Sequence, residues 1–392
     1  LSRYQHRKAL VLLAYDSSCQ AAQDAAQSLS ASAQRYQGDI EFVALDVNGQ
    51  PRSEQLAWQL PFPVLGDELK LVAESLDLSQ AGEVLVFNPQ RMSLYYRGGV
   101  GAALDTRLDE VVSGNASDTA TAAVAGCAIS YEALARHKQT PPDYSTEIAP
   151  IVVKNCAICH RWGGAGPFPF DSYVSLLGWS PMVREVLLNK RMPPMQVDPV
   201  IGASANAHYI PAADKQKLIH WMAAGAPRGD GEVDPLAEVP LEKEFAWQLG
   251  DPDYIVQAPT NVVPSVGIQD YVYVDATLPF SEDKWVRAFQ YSPGDERVLH
   301  HLMAFIVPAD GDFWGEEKHS TTSERRFLGS FIPGENPATV FPEGSGVRIP
   351  AGHKLALQFH YVTNGVEIND ETSIGLYFSD TPPAREILTR PV

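Results

Sequence analysis

Two cysteines and a histidine near the middle of the chain have a spacing that suits covalent chemistry. They occur in the run Asn-Cys-Ala-Ile-Cys-His, where Cys156 and Cys159 are separated by two residues and His160 follows directly. Thiols at this spacing can form thioethers with the vinyl groups of a haem, and the adjoining imidazole can then bind its iron. The alternative is a zinc or thiol-redox Cys-x-x-Cys, but no second Cys or His pair follows at zinc-ligand spacing. The motif therefore predicts a covalent c-type haem.

A haem iron held by a histidine on one side needs a second axial ligand on the other. A methionine thioether there is typical of electron-carrying cytochromes. Met192 and Met195 lie in the run Arg-Met-Pro-Pro-Met, where the prolines restrict the backbone. We expect Met192 to be the ligand, with Met195 as the alternative. Met182 and Met222 lie in apolar helical patterns and are expected to fill a core.

Three histidines in the last third of the chain are candidates for a second metal site. His300 and His301 are adjacent in the run Val-Leu-His-His-Leu-Met, and His360 lies in Leu-Gln-Phe-His-Tyr. Three imidazoles without a nearby thiolate suit copper or zinc. Neighbours in a regular strand point to opposite faces, so a twist or bulge is needed for both adjacent rings to bind one ion. Otherwise one imidazole is buried and hydrogen-bonded while the other faces solvent. His353 would face the other side of its strand and is left out of the site.

The elements that must position these residues fall into three segments. Strand-like and helix-like runs alternate up to residue 126, which is typical of an α/β sheet. Residues 127–235 have helical patterns around the cysteine motif, and Asp214 to Ala224 ends in Gly and Pro as a helix should. Residues 236–392 consist of short β-type runs separated by Pro, Gly and Asn, which indicates an antiparallel, all-β sandwich. The sequence therefore predicts a multidomain protein.

Length and charge limit the classes of partner. A chain of 392 residues is expected to form two to four domains. Its formal net charge of -18 argues against nucleic acid or anionic lipid as a partner. We see no apolar run of the roughly 18 to 20 residues that a transmembrane helix needs. The chain begins with Leu1, which fits a mature exported form, and haem attachment to such a motif occurs outside the cytoplasm. We therefore expect a periplasmic or otherwise exported protein.

Four further runs surround the cysteine motif: Ile148-Ala-Pro-Ile, Pro167-Phe, Arg191-Met-Pro-Pro and Trp221-Met-Ala-Ala-Gly-Ala-Pro. Together they resemble the cytochrome c module of large bacterial proteins in which that module precedes a copper monooxygenase-like region. The resemblance implies an all-α cytochrome c domain over residues 127–235, with the Met of Met-Pro-Pro as axial ligand. The Trp that usually follows those prolines is a Met in this chain, at position 195.

A second pattern is formed by the runs Trp285-Val-Arg-Ala-Phe, Val298-Leu-His-His and Pro350-Ala-Gly-His-Lys-Leu-Ala-Leu-Gln-Phe-His-Tyr. It is similar to the N-terminal half of the type II, ascorbate-dependent copper monooxygenases, the family of peptidylglycine and dopamine hydroxylases. There the His-His pair and the His of the Gln-x-His-Tyr strand hold the electron-transferring copper. The family's oxygen-activating copper sits in a second sandwich that supplies His-x-His and Met. No His follows His360 here, so that second site is missing from this sequence.

The opening segment carries a third resemblance. The runs Lys8-Ala-Leu-Val-Leu-Leu-Ala-Tyr-Asp-Ser-Ser-Cys, Phe62-Pro-Val-Leu-Gly-Asp-Glu and Glu83-Val-Leu-Val-Phe-Asn-Pro resemble a thioredoxin-like redoxin. This implies an α/β thioredoxin-like domain over residues 1–126, with Cys19 in the place of the reactive thiol. No second Cys follows it, and Ala-Gly replaces the usual cis-Pro, so we expect the redoxin to be degenerate. Cys19 is then either a buried thiol or joined to Cys127 in a disulfide.

The leading hypothesis is an exported oxidoreductase module that transfers electrons between haem c and a mononuclear copper centre. Its partner would be another redox protein, within a larger membrane or periplasmic complex. One alternative is an accessory or assembly subunit in which the haem alone is active. Another is a fragment of a complete copper hydroxylase, which requires residues beyond Val392. Whether this chain is itself an enzyme stays open, as does copper against zinc at the histidines.

Overall fold

The structure is a computed structural model of the chain. It describes residues 2–50, 55, 58, 60–67, 69–194, 209–239, 246–311, 313–314 and 326–389.

The first part of the chain forms a mixed sheet covered by helices. In chain order its elements after a 3-10 turn at Ser2–Tyr4 are β1 (Ala9–Tyr15), α1 (Gln20–Arg35), β2 (Ile40–Asp46), β3 (Val64–Leu65), α2 (Leu71–Ser75), β4 (Gln80–Ala81), β5 (Val84–Asn88), β6 (Ser93–Gly98), α3 (Ala102–Ser113), β7 (Ala120–Thr121) and β8 (Cys127–Ala128).

The six strands of this sheet have the order β3-β2-β1-β5-β6-β7. Strand β1 lies inside it, parallel to β2 and antiparallel to β5. All seven residues of β1 are buried, as expected for a strand covered on both faces. Helix α1 packs one apolar face on the sheet, because Ala22, Ala25, Ala26 and Leu29 recur at helical spacing and are all buried. We call this part of the structure the first unit.

The middle of the chain carries the cysteine motif among helices. These are α4 (Glu132–Gln139), a π-helical turn (Tyr144–Ile148), α5 (Ala149–Asn155), α6 (Tyr173–Leu188) and α7 (Ala212–Ala223). Tyr144 and Trp221 are fully buried in the apolar core of this region. Leu71 of α2 belongs to the same core, so these helices bury their apolar faces partly against the first unit.

The predicted fold class, with an all-α cytochrome c domain at its centre, is wrong. The described residues are mostly β-sheet with seven helices, 24% is helical, and no all-α cytochrome c domain is evident among them. The helix predicted at Asp214 to Ala224 corresponds to α7, but residues 162–172 form turns, bends and irregular chain. The shared core with the first unit also means that these helices do not form a bundle of their own. The boundaries at residues 126 and 235 stay predictions.

The last part of the chain is all β. Its strands are β9 (Tyr254–Gln257), β10 (Asn261–Val263), β11 (Val272–Thr277), β12 (Lys284–Ser292), β13 (Leu299–Pro308), β14 (Arg326–Phe331), β15 (Ala338–Val340), β16 (Ser345–Ile349), β17 (His353–Tyr361), β18 (Ile368–Asp370), β19 (Ser373–Phe378) and β20 (Arg385–Glu386).

Two sheets of this part enclose a common apolar core. One has the order β11-β17-β13-β14, and the other has the order β20-β16-β12-β19-β9 with β15 added on β12. Along β13, Leu302, Ala304 and Ile306 point into the core, and the residues between them are partly exposed. This alternation leaves an outer face on the four-stranded sheet. No helix in the described ranges is both long and apolar enough to cross a bilayer.

Candidate metal and haem sites

A β-bulge brings the three histidines of the sandwich together. Leu299 pairs with Tyr361 and His301 pairs with His360, so His300 is an extra residue in β13 with no partner in β17. Such a bulge re-aims a side chain that a regular strand would send to the opposite face. As a result, one ring nitrogen from each of the three imidazoles lies within 4.8 Å of the others. The structure thus contains the irregularity that the sequence required but did not locate.

The environment of the cluster favours neutral imidazoles. Burial and the neighbouring rings of His360 and His300 lower the pKa of His301. Burial and His300 likewise lower the pKa of His360. Neutral imidazole is the form that binds a metal ion, because a ring nitrogen then carries a free lone pair.

One atom of the cluster is buried and has no hydrogen-bond partner among the described residues. This atom is Nδ1 of His360, and a buried ring nitrogen without a partner is costly. Tyr271 stacks on the same ring at 4.8 Å between centroids and covers it from one side. His300 is exposed, so the cluster is open to solvent on the side of the His300 ring. The three imidazoles therefore suit a copper or zinc ion.

The cysteine motif forms a tight turn directly after α5. The backbone N–H groups of Cys159 and His160 both donate to the carbonyl of Cys156, at 3.2 and 2.9 Å. Cys156 and Cys159 are not joined in a disulfide. Burial, and to a lesser extent the neighbouring Cys159, raise the pKa of Cys156 to about 12. Cys156 is therefore held as a neutral thiol, whereas a reactive redox cysteine has a lowered pKa.

The ring of His160 is oriented by the loop that follows it. Its Nδ1 lies 3.0 Å from the carbonyl oxygen of Phe168 and must carry a proton to donate to it. Nε2 then keeps its lone pair, which is the arrangement of an imidazole that binds iron. Phe168 and Phe170 pack against the ring at 4.7 and 5.1 Å. A Cβ at Gly166 would lie 2.7 Å from Nδ1, so only glycine leaves room for the ring there.

The predicted axial methionine lies in a turn after α6. The backbone N–H of Met192 donates to the carbonyl of Val186 at 3.2 Å, and the residue is 39% exposed. Its role as an iron ligand stays a prediction. The alternative, Met195, lies outside the described residues.

The cysteine motif and the sandwich contact each other, which sequence reasoning missed. Nη2 of Arg161 lies 2.6 Å from Oε2 of Glu296, in the turn that leads into β13. A Cβ at Gly334 would lie 2.8 Å from Sγ of Cys159. Arg161 and Glu296 are 135 positions apart in the sequence, and no sequence signal links them.

A buried hydrogen-bonded chain joins the first unit to α7. Oε2 of Glu74 lies 2.7 Å from Nε2 of His220, and Nδ1 of His220 lies 2.8 Å from Nδ1 of His137. The side chains of His220 and Glu74 are only 2% and 9% exposed. We call these three residues the carboxylate–histidine chain.

Cys19 is joined to Cys127 by a disulfide. Of the two alternatives for Cys19, the structure therefore contains the disulfide with Cys127 and not a buried free thiol. Cys19 lies at the start of α1, and Cys127 in the short strand β8. The disulfide fastens β8, the last strand of the first unit, to the start of α1.

Comparison with known proteins yields little. No family model matches the chain, and no curated protein matches it either. A hypothetical protein from Sinorhizobium meliloti is 21% identical over 34% of this chain and 84% of its own, with a TM-score of 0.29. An uncharacterized conserved protein from Geobacillus kaustophilus is 21% identical over 32% of this chain and 77% of its own, with a TM-score of 0.27. Scores this low support no inference about fold or function.

Proposed function

We propose that this chain is an exported redox protein with a haem c on the Cys156–His160 motif and a mononuclear copper ion on His300, His301 and His360. When bound, the two metals supply one-electron redox chemistry. The observation that carries the proposal is the bulge at His300, which gathers three imidazoles into one donor set.

The residues of the motif are suited to hold a haem. Cys156 and Cys159 would form the thioethers, and backbone hydrogen bonds hold both cysteines and His160 in one tight turn. The hydrogen bond to the carbonyl of Phe168 holds the ring of His160 and leaves the lone pair of Nε2 available, so this nitrogen would bind the iron. Met192 is the proposed second axial ligand. This assignment depends on the motif and does not require an all-α domain.

The residues of the cluster are suited to hold copper. His300, His301 and His360 would supply three nitrogen donors to the ion. The stacked ring of Tyr271 restricts rotation of His360, which preorganises the donor set. The resemblance of the histidine runs to the electron-transferring copper site of the type II copper monooxygenases favours copper over zinc. One three-histidine cluster is present among the described residues, and we propose that it transfers electrons.

The proposed partner is another redox protein with a basic docking face. The formal net charge of -18 would attract such a partner and speed its association at low salt. Localisation in the periplasm, or export in another form, follows from the proposed haem attachment.

The proposal is tested by metal analysis and by optical and EPR spectra of protein matured in a host that attaches haem c. We expect covalent haem together with a type 2 copper signal. His360→Ala should lose copper and keep haem. His353→Ala is the matched control, because His353 lies on the same strand and its Nδ1 contacts the carbonyl of Ala351 instead.

Other outcomes would contradict the proposal in different ways. Full haem without copper would favour an accessory or assembly role. Zinc at the cluster would exclude redox chemistry there, since zinc has no accessible second oxidation state. Unmodified thiols at Cys156 and Cys159, or a disulfide between them, would overturn the haem assignment.

A further inference from the structure

The contact between the cysteine motif and the sandwich contains a largely buried ion pair. The side chains of Arg161 and Glu296 are only 10% and 21% exposed, with 2.6 Å between Nη2 and Oε2. Charges at such burial are costly unless each has its partner, so separating the two side chains is unfavourable. A guanidinium–carboxylate hydrogen bond is also directional. The pair therefore constrains geometry more than an exposed surface pair would.

The turn that carries Glu296 is itself anchored. The N–H of Asp295 donates to the Asp370 carboxylate at 2.9 Å, and that of Gly294 donates to Oγ1 of Thr372 at 3.2 Å. The N–H of Leu299 closes the turn on the carbonyl of Asp295 at 3.1 Å. Glu296 is thus held on a fixed support that leads directly into β13. A shift of Arg161 relative to Glu296 would be a shift of the motif relative to that strand.

A second contact lies on the neighbouring turn of the same sheet. Gly334 follows β14, whose last residue, Phe331, pairs with Leu302 of β13. A Cβ at Gly334 would lie 2.8 Å from Sγ of Cys159 and 3.9 Å from Cγ2 of Ile158. The absence of a side chain at this position allows the close approach. The motif therefore contacts two turns at the end of the sheet where the bulge occurs.

We propose that these two contacts act as a clamp that holds the cysteine motif against the histidine-bearing end of the sandwich. Arg161 and Glu296 are then positioning residues for electron exchange between haem iron and copper. This inference rests on the proposed function. If both metals are bound, an electron lost by one would be gained by the other, so the exchange would balance without a further reactant. Its rate would depend on the separation of the two metals, and Arg161 and Glu296 would act by holding the cysteine motif at a fixed place on the sandwich.

The test uses Arg161→Gln and Glu296→Gln, which remove charge and keep much of the side-chain shape. The double variant R161E/E296R restores a pair with its charges exchanged. Arg348→Gln is the matched control, since it breaks an ion pair within the sandwich, with Asp283, away from the motif. Haem and copper contents are measured for every protein before kinetics. This separates loss of a metal from loss of its position.

Two readouts report on the clamp. In copper-free protein, hydrogen exchange of the segments around residues 156–162 and 332–336 should become faster in both single variants and remain unchanged in Arg348→Gln. In loaded protein, pulse reduction of the haem followed optically should show exchange with copper that is at least about tenfold slower in the single variants, because small misplacements cost large factors in rate. The charge-exchanged double variant should recover part of that loss.

The outcomes distinguish the clamp from the proposed function. Fully loaded single variants with unchanged hydrogen exchange and unchanged electron-exchange rates would overturn the clamp and leave the proposed function standing. Wild-type protein that lacks haem or copper would overturn both.

Discussion

Breaking the Cys19–Cys127 disulfide should weaken the first unit strongly. The two residues are 108 positions apart, so the bridge closes a long loop that contains α1 through β7. The chain-entropy relation for a loop of that length gives a stabilisation of about 5 kcal/mol at 25 °C. Cys127→Ser is the milder perturbation, because Cys127 is exposed and Cys19 is buried in the core. With a slope of about 2 kcal/mol per M of urea, the unfolding midpoint should fall by about 2 to 3 M.

Urea unfolding followed by hydrogen exchange of the peptide that carries β1 measures this effect. All seven residues of β1 are buried, so their amides report on the first unit rather than on the sandwich. The double variant Cys19→Ser/Cys127→Ser should resemble the single variant, because the bridge is absent in both. Thiol labelling of denatured protein provides a second check, since Cys127→Ser should expose the Cys19 thiol.

Two results would refute the reasoning. An unchanged urea midpoint in Cys127→Ser would mean that the closed loop adds nothing to stability. Labelling of Cys19 in denatured wild-type protein under non-reducing conditions would mean that the bridge is not formed.

Three further perturbations address other sites. Glu74→Gln keeps the shape of the side chain but removes a charge-assisted hydrogen bond from the carboxylate–histidine chain. The free energy of unfolding should therefore fall by about 2 kcal/mol. An unchanged urea midpoint would contradict this expectation. Burial and the neighbouring imidazole hold the pKa of His137 below its ordinary value. The unfolded chain therefore binds more protons than the folded chain at pH values between that lowered pKa and about 6.5, so the free energy of unfolding should rise as pH increases through this range. Urea titrations at several pH values should show this rise in the wild-type protein and a flatter dependence in His137→Gln. Gly166→Ala should displace the ring of His160 and alter the optical spectrum of the haem, whereas Gly178→Ala, with no heavy atom within 4 Å of its Cβ, should leave the spectrum unchanged.

The geometry of the cysteine motif could be anticipated because it is local. Cys156 accepts from the N–H groups of both Cys159 and His160, so five consecutive residues specify the turn. The orientation of His160 depends on Phe168, only eight positions further on. Interactions of such short range follow from the sequence order of the residues involved.

The sequence predicted that the histidine cluster needs an irregular strand, but it did not predict where the irregularity occurs. The sequence indicates that adjacent histidines need an irregular strand, but the bulge arises from the register between β13 and β17. That register is set by core packing across some sixty positions of sequence, with Leu302 and Phe359 paired in the interior. The ion pair between Arg161 and Glu296 is even harder to predict from the sequence, because neither residue belongs to a motif that implies the other.

The helical middle region shows why the predicted all-α domain failed. Periodicity indicates that a helix has an apolar face, but it does not say what covers that face. Helix α7 directs Gln216 to the carbonyl of Leu69 and His220 to Glu74, both in the first unit. A pattern read within residues 127–235 could not include partners that lie outside them.

The residues of the cysteine motif are adjacent in sequence, whereas the three histidines lie on two strands that are far apart in sequence. This difference affects the order in which the two sites can form. The cysteine turn closes within five residues, so its residues can come together before the rest of the chain has folded. The three imidazoles converge only after β13 and β17 have paired, so an unfolded chain offers no such donor set to a metal ion. If both cofactors bind as proposed, covalent attachment at the motif can precede metal loading at the cluster, which has to wait for the two strands to pair.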